Sequence, residues 1–203
     1  MVTESLPVLP NQYYTGIFPK KFIFLHHTSG ASAASAVSWW NSKPDRVSTP
    51  FIIERDGTIF QTFEERYWAY ALGVKGATGM EKSSIHIELV SWGGLNYNDS
   101  ERKFLTYTKH EIPDNEVVLL PFSWRGYKAF HCYTDPQIES LRQLLVELRK
   151  EFNIPHSPEN REKFWEFRQF QKVPPGIWSH TTVREDKSDI FPQPSLIQMV
   201  QSL

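Results

Sequence analysis

The sequence predicts one α/β domain, a central mixed β-sheet flanked by helices. Three observations carry this. Short β-rich apolar runs end at Gly, Asp or His, amphipathic helical stretches lie between them, and a hairpin signal in the middle rules out an all-parallel sheet. The chain has 203 residues, enough for one good core and too few for two. We read residues 1–203 as a single domain, with residues 1–20 as an irregular arm and residues 95–134 as an insertion between a sheet strand and the main helix.

The elements follow in order. The arm holds Pro7, Pro10 and Pro19 and shows little periodicity. Phe22 to Leu25 form a short buried strand, which stops on the adjacent imidazoles His26 and His27 before the turn residues Thr28, Ser29 and Gly30. Ala31 to Lys43 predict a helix with Ala33, Val37 and Trp40 on one stripe, ended by Pro44. "FIIERDGTIFQTF" is a hairpin turning at Asp56-Gly57. Ser83 to Trp92 predict a strand with Ile85, Ile87 and Leu89 on one face and His86, Glu88 and Val90 on the other. Residues 95–134 show no clear period and predict short strands at the surface. "DPQIESLRQLLVELRKEF" is the plainest helix. Asp135 caps it, Pro136 fits its first turn, and Ile138, Leu141, Leu144, Leu145 and Leu148 form its apolar stripe. "SPENREKFWEFRQFQ" reads as a weaker helix or an ordered loop, and a short last helix starts near Ser195.

Composition removes several classes. A net charge of −1 leaves no basic footprint for nucleic acid. No window approaches the roughly 18 apolar residues of a membrane span. The N-terminus lacks a basic start followed by an apolar run, so we read no signal peptide and expect cytoplasmic synthesis. The single cysteine, Cys132, permits no internal disulfide and reads as a small buried hydrophobe. Aromatics make up 14% of residues, which suits either a core or a groove for sugar or peptide.

Unusual residues cluster in three places: the His26-His27 pair, Glu88 within a half-buried strand, and "IWSHTTVREDKSDIFPQP", which holds His180, Lys187 and Asp189. A catalytic zinc takes three protein ligands and keeps one position open, and two histidines with one carboxylate meet that need. Glu88 would serve as acid or base beside the metal, and Lys187 as a cation near a developing oxyanion. Each feature also has an ordinary structural reading. A His pair can close a turn, a strand carboxylate can pair with Arg or Lys, and Lys187 and Asp189 can belong to a solvated charge run.

Read together, these pieces resemble the zinc-dependent N-acetylmuramoyl-L-alanine amidases of type 2, the group that includes phage lysozymes of amidase type and peptidoglycan recognition proteins. The likeness spans roughly residues 20 to 194. "FIFLHHTSG" is similar to the family's strand ending in His-His-Thr, and "STPFIIERDGTIFQTF" to its RDGTIYQ hairpin. "YWAYALG" is similar to its WAxHxG segment, "SSIHIELV" to its SIGIELV strand, and "SHTTVREDKSDIFPQP" to its closing H…R-K-x-DPGP segment.

The resemblance implies the type 2 amidase fold and one Zn2+ held by His26, His180 and Asp189. It makes Glu88 the proton carrier and Lys187 the partner of the oxyanion. His27, Trp68, His86 and Trp92 are the expected substrate-facing residues, with His27 alternatively supporting the turn. The chain departs from the pattern in four places. No Tyr or His stands at Ser48-Thr49-Pro50, Ala71 replaces an imidazole, and His86 replaces a glycine. His180 and Asp189 are nine residues apart against ten in the nearest pattern, which leaves Asp186 as the fallback ligand. The expected reaction is hydrolysis of the amide between N-acetylmuramic acid and L-alanine by a monomer acting on peptidoglycan or muropeptides. A lytic, endolysin-like role is expected. A cytosolic enzyme recycling anhydromuropeptides and a non-catalytic peptidoglycan-binding module are the alternatives.

Overall fold

The computed structural model describes residues 3–203. The chain opens with β1 (Glu4–Ser5), β2 (Phe22–His27), α1 (Ala33–Asn41) and the hairpin β3 (Phe51–Ile53) and β4 (Ile59–Gln61). Helix α2 (Thr78–Lys82) precedes β5 (Ser84–Leu89). Five strands follow: β6 (Gly94–Asn98), β7 (Lys103–Leu105), β8 (Glu111–Ile112), β9 (Val117–Trp124) and β10 (Tyr127–His131). Then come α3 (Asp135–Phe152), α4 (Pro158–Glu162), β11 (Gly176–Ser179) and α5 (Pro194–Ser202).

The central sheet has the order β1-β4-β3-β5-β2-β11 and is mixed as expected. Its middle strands β3, β5, β2 and β11 are parallel, and the β3–β4 hairpin is antiparallel. Both faces are covered. On one, Ile23, Leu25, Ile85, Ile87 and Ile177 pack against the leucine stripe of α3 and against Leu196, Met199 and Val200 of α5. On the other, Ile52 and Val90 meet Ala33, Val37 and Trp40 of α1, while Phe24 and Trp178 meet Leu72 and Met80. Burial on both faces explains why these strands read as continuous apolar runs.

Four details differ from the sequence reading. Strand β2 does not stop at Leu25 but carries both histidines, because His26 and His27 remain paired with Glu88 and Leu89 of β5. The arm is not wholly irregular, since β1 adds a parallel edge strand to β4. Helix α3 is capped by Thr134 rather than Asp135. The Thr134 side chain accepts from the Gln137 N–H, and Gln137 closes a capping box. Asp135 is instead the first helical residue, next to Pro136. Helix α2 has no counterpart in the sequence reading. Residues 94–131 form a five-stranded antiparallel sheet in the order β8-β7-β6-β10-β9. It packs on the central core through Leu120 and Phe130. Among the described residues, no helix is long and apolar enough to cross a membrane.

Gln137 ties these layers together. It is fully buried, and its amide donates to the carbonyls of Ile53 at 3.1 Å and Val90 at 3.0 Å. Its carbonyl accepts from the Thr134 N–H at 3.0 Å. Gln137→Leu keeps an apolar stem but leaves the Val90 carbonyl without this donor. Urea unfolding should show a loss of about 1–3 kcal/mol, the cost of an unpaired buried polar group; an unchanged midpoint would show that the bridge adds nothing to stability.

Candidate metal centre and catalytic cleft

The register of the parallel strands assembles the site. Phe24 pairs with Trp178 and Leu25 with Ser179, so one further step sets His180 beside His26. On the other side His26 pairs with Glu88. Strand alternation sends Phe24 and His26 to one face, and Leu25 and His27 to the other. Thus Glu88, His26 and His180 stand in a row at the carboxyl ends of three parallel strands, where open α/β sheets place ligands.

Asp189 completes a three-residue cluster with His26 and His180 whose potential ligand atoms all lie within 4.8 Å of one another. His180 Nδ1 is 2.8 Å from Asp189 Oδ2 and 3.1 Å from His26 Nδ1, and His26 Nδ1 is 3.3 Å from the same Asp189 oxygen. All three residues are buried. His180 Nε2 lies 3.0 Å from the Leu72 carbonyl, which can only accept, so Nε2 carries the ring proton and Nδ1 is bare when the ring is neutral. A bare imidazole nitrogen facing a carboxylate oxygen at this distance repels it unless a proton or cation lies between them. Zinc bonds of about 2.0–2.2 Å in tetrahedral geometry fit a triangle of this size. The donor set therefore suits a metal ion.

Burial first, and the closeness of a second imidazole at His180, hold His26 neutral and pull its pKa down to about 3. Burial likewise lowers His27 to about 4. Burial opposes the charged form of Asp189, yet its close contacts with His180 and His26 outweigh it and hold this carboxyl well below its usual range. Glu88 moves the other way. Burial first, and the charge of Asp189 second, push it well above the ordinary glutamate range. Glu88 is half-buried in the cleft floor, and its Oε2 is covered and has no hydrogen-bond partner. A carboxyl whose proton affinity is raised in this way beside a metal-binding cluster is suited to carrying a proton.

The cleft above the cluster has a volume of about 670 Å³. His26, His180, Asp189, Glu88, Lys187, His27 and Trp92 all line it, so the structure brings most of the expected site residues together. His27 is anchored from behind by Tyr133, whose hydroxyl is 2.9 Å from its Nδ1. Trp92 is fixed through its backbone N–H, which donates to His131 Nδ1 at 3.1 Å. Two expectations are corrected. His86 does not face the cleft; it lies buried behind His26, with its Nδ1 3.0 Å from His26 Nε2. Trp68 is buried and stacked on Tyr14 at 4.2 Å, and lines a separate depression, because the arm bridges to it at Tyr14. The fallback ligand Asp186 is exposed and held by Arg184 through two contacts of 2.6 Å. Sequence reasoning missed Trp39, Tyr107 and Thr108, which also line the cleft. Trp39 could have been flagged, since it sits off the apolar stripe of α1.

The histidine environment gives stability a pH dependence. Burial is also the leading cause that lowers His86, His131 and His156. Histidines with lowered folded-state pKa leave the unfolded chain to take up protons first. Their contribution is complete above about pH 6.5 and is lost on acidification, for His26 and His27 down to about pH 3 and 4. Glu88 has the opposite sign, since a raised carboxyl destabilises the fold as pH rises above its unfolded value. In chelator-treated Glu88→Gln protein, which removes that opposing effect, the urea midpoint should fall steadily from pH 7 to pH 4; a flat profile would contradict neutral buried histidines.

The sequence profile of the family described as N-acetylmuramoyl-L-alanine amidase matches residues 18–194. No curated protein matches the chain. Among solved structures, the chain is similar to PlyL, with a TM-score of 0.58 and 16% identity over 98% of this chain and 97% of that one. It is similar to a mutant endolysin from Bacillus subtilis, with a TM-score of 0.52 and 15% identity over 93% and 90% of the two chains. It is also similar to AmiD from E. coli, an N-acetylmuramyl-L-alanine amidase solved with anhydro-N-acetylmuramic acid-L-Ala-D-gamma-Glu-L-Lys. That TM-score is 0.55, at 18% identity over 91% of this chain and 59% of that one. With the profile covering most of its length, the chain belongs to the N-acetylmuramoyl-L-alanine amidase family.

Proposed function

We propose that this amidase is a zinc enzyme that cleaves the amide between N-acetylmuramic acid and L-alanine, and that polymeric cell wall is its substrate. The observation that carries this reading is the cluster of His26, His180 and Asp189 on the floor of an open cleft, with Glu88 and Lys187 lining the same space. His26, His180 and Asp189 would hold the ion. A bound zinc ion supplies Lewis acidity, polarising the scissile carbonyl and lowering the pKa of water to about 7.

The chain's own residues do the rest. Glu88 takes a proton from the attacking water and later passes it to the leaving alanine nitrogen. Its position among burial and the negative charge of Asp189 favours holding that proton between the two steps. Lys187 offers a cation to the oxygen that becomes negative as the carbonyl turns tetrahedral. Asp189 and the histidines stay fixed by their buried contacts.

The preference for polymer rests on the cleft walls. Helix α1 contributes Trp39, which is 54% exposed, and residues 94–131 contribute Tyr107, which is 64% exposed. Tyr107 meets Trp92 edge-on at 6.0 Å, and its hydroxyl donates to the Ser29 carbonyl at 3.3 Å. Exposed rings brought to one cleft by two separate elements suit stacking against the sugars of a glycan strand. This favours a lytic role over recycling of soluble fragments.

Four outcomes are expected. Purified protein should carry about one zinc per chain, and digested sacculi should gain alanine N-termini without new reducing sugar ends. Reducing ends without free alanine would refute the bond assignment. Glu88→Gln should stay folded, keep its zinc and lose about 10²–10⁴-fold in rate; near-normal turnover would remove Glu88 from the mechanism. Tyr107→Ala should raise KM for sacculi while leaving a soluble muropeptide unaffected. Equal effects on both substrates would argue against a polymer-binding wall.

A further inference from the structure

The outer nitrogens of the two site histidines lead back to one short segment. His180 Nε2 donates to the Leu72 carbonyl at 3.0 Å. His26 Nε2 is 3.0 Å from His86 Nδ1, and His86 Nε2 is 3.3 Å from Glu81 Oε2, a close polar contact rather than a well-directed hydrogen bond. Glu81 in turn accepts from the N–H of Ala71 at 3.2 Å and of Leu72 at 3.0 Å. The Leu72 peptide group therefore holds His180 through its carbonyl, and holds His26 through its N–H, Glu81 and His86. The side chains of His86 and Glu81 are 3% and 2% exposed, and neither lines the cleft. They cannot touch a substrate.

A neutral imidazole carries one proton, and His26 can place it on either nitrogen. On Nδ1 the proton would point at Asp189 and occupy the lone pair a metal needs. On Nε2 it leaves Nδ1 bare. Both Glu81 oxygens accept from backbone N–H groups, so Glu81 faces His86 as an acceptor, draws its proton to Nε2 and leaves His86 Nδ1 as an acceptor. That acceptor takes the Nε2–H of His26. We propose that Glu81 and His86 are positioning residues that fix His26 in its Nε2–H tautomer and so keep its Nδ1 free for the metal. Carboxylate-to-histidine partners of this kind set ligand orientation and basicity in metal sites. For the metal this rests on the zinc reading given above; for the tautomer it stands on the contacts alone.

The two parts are tested separately. Long-range proton–nitrogen correlation spectra of isotope-labelled, metal-free protein should show His26 and His86 both protonated on Nε2. A His26 proton on Nδ1 would overturn the proposal, whether or not the protein binds zinc. Zinc affinity is then measured by competition with a chelator. His86→Leu removes the acceptor and should weaken binding about 10–100-fold. His86→Asn returns an oxygen near the former Nδ1 and should recover most of that loss. Equal weakening in both variants would mean His86 only fills space, and unchanged affinity in His86→Leu would mean it does nothing; either result overturns the proposal. Glu81→Gln keeps the side-chain volume and should weaken zinc in the same direction, which provides the test if His86→Leu does not fold. A wild-type protein without zinc affinity would sink the zinc reading, while the spectra still decide the tautomer.

Discussion

Everything at the site depends on the backbone register of β5, β2 and β11. The pairs His26–Glu88 and Leu25–Ser179 bring the proposed proton carrier and two potential ligands from positions 88, 26 and 180 into one row. Side chains alternate along a strand, so a slip of one residue would turn His26 into the leucine-packed layer and bring His27 to the metal side. What prevents the slip is the core. Ile23, Leu25, Ile85 and Ile87 are wholly buried against α3 and α5, and Phe24 and Trp178 are wholly buried on the opposite side. Hydrophobic burial thus fixes a catalytic geometry that none of the polar residues could fix alone.

That geometry carries a cost. Three imidazoles, His26, His86 and His180, and two carboxylates, Glu81 and Asp189, stand in mutual contact with almost no solvent. Burying such groups is unfavourable unless each finds a partner. Most do, through backbone groups of residues 71–72 and through one another. Two atoms here lack a hydrogen-bond partner: His86 Nε2, which keeps only its close contact with Glu81, and Glu88 Oε2, which is covered. The molecule tolerates an unsatisfied oxygen at the carboxyl proposed to exchange a proton. Stability and function pull in opposite directions there.

Much of this was legible in the sequence, and the reasons differ by element. The strands, the DG hairpin and the stripe of α3 were legible because their periodicities are set by burial and run for several residues. The central cluster was legible because His26, His180 and Asp189 lie in segments that resemble those of known amidases. Thr134 was passed over as the cap of α3 because Asp135 is also a good capping residue, and only the backbone angles distinguish them. Glu81 carried no signal. It sits in a helix of five residues, too short for a pattern, and looks in sequence like any surface acid beside Lys82. His86 was placed on the correct face of β5, but alternation cannot say which residues on that face reach a cleft and which stop behind another side chain. The sheet at 94–131 hid because strands of two to five residues, such as β7 and β8, are shorter than the window in which alternation becomes visible.

The attachment of that second sheet has a consequence for how such a protein can be altered. The chain enters this sheet at Gly94 and leaves it just after Phe130, and these two residues are register partners on adjacent antiparallel strands. The excursion therefore begins and ends at one point, like a branch joined to a trunk by a single collar. Exchanging the branch imposes no new span on the trunk, so loop-closure entropy changes little with its length. A replacement must supply the contacts that Leu120 and Phe130 make with the core, those of Val118, Trp124 and Tyr127, and the Arg55–Glu116 ion pair. Because the branch also carries Tyr107 to the cleft, it is a natural cassette: one wall of the cleft can be exchanged by transplanting this one module while the strands that carry His26, Glu88 and His180 keep their alignment.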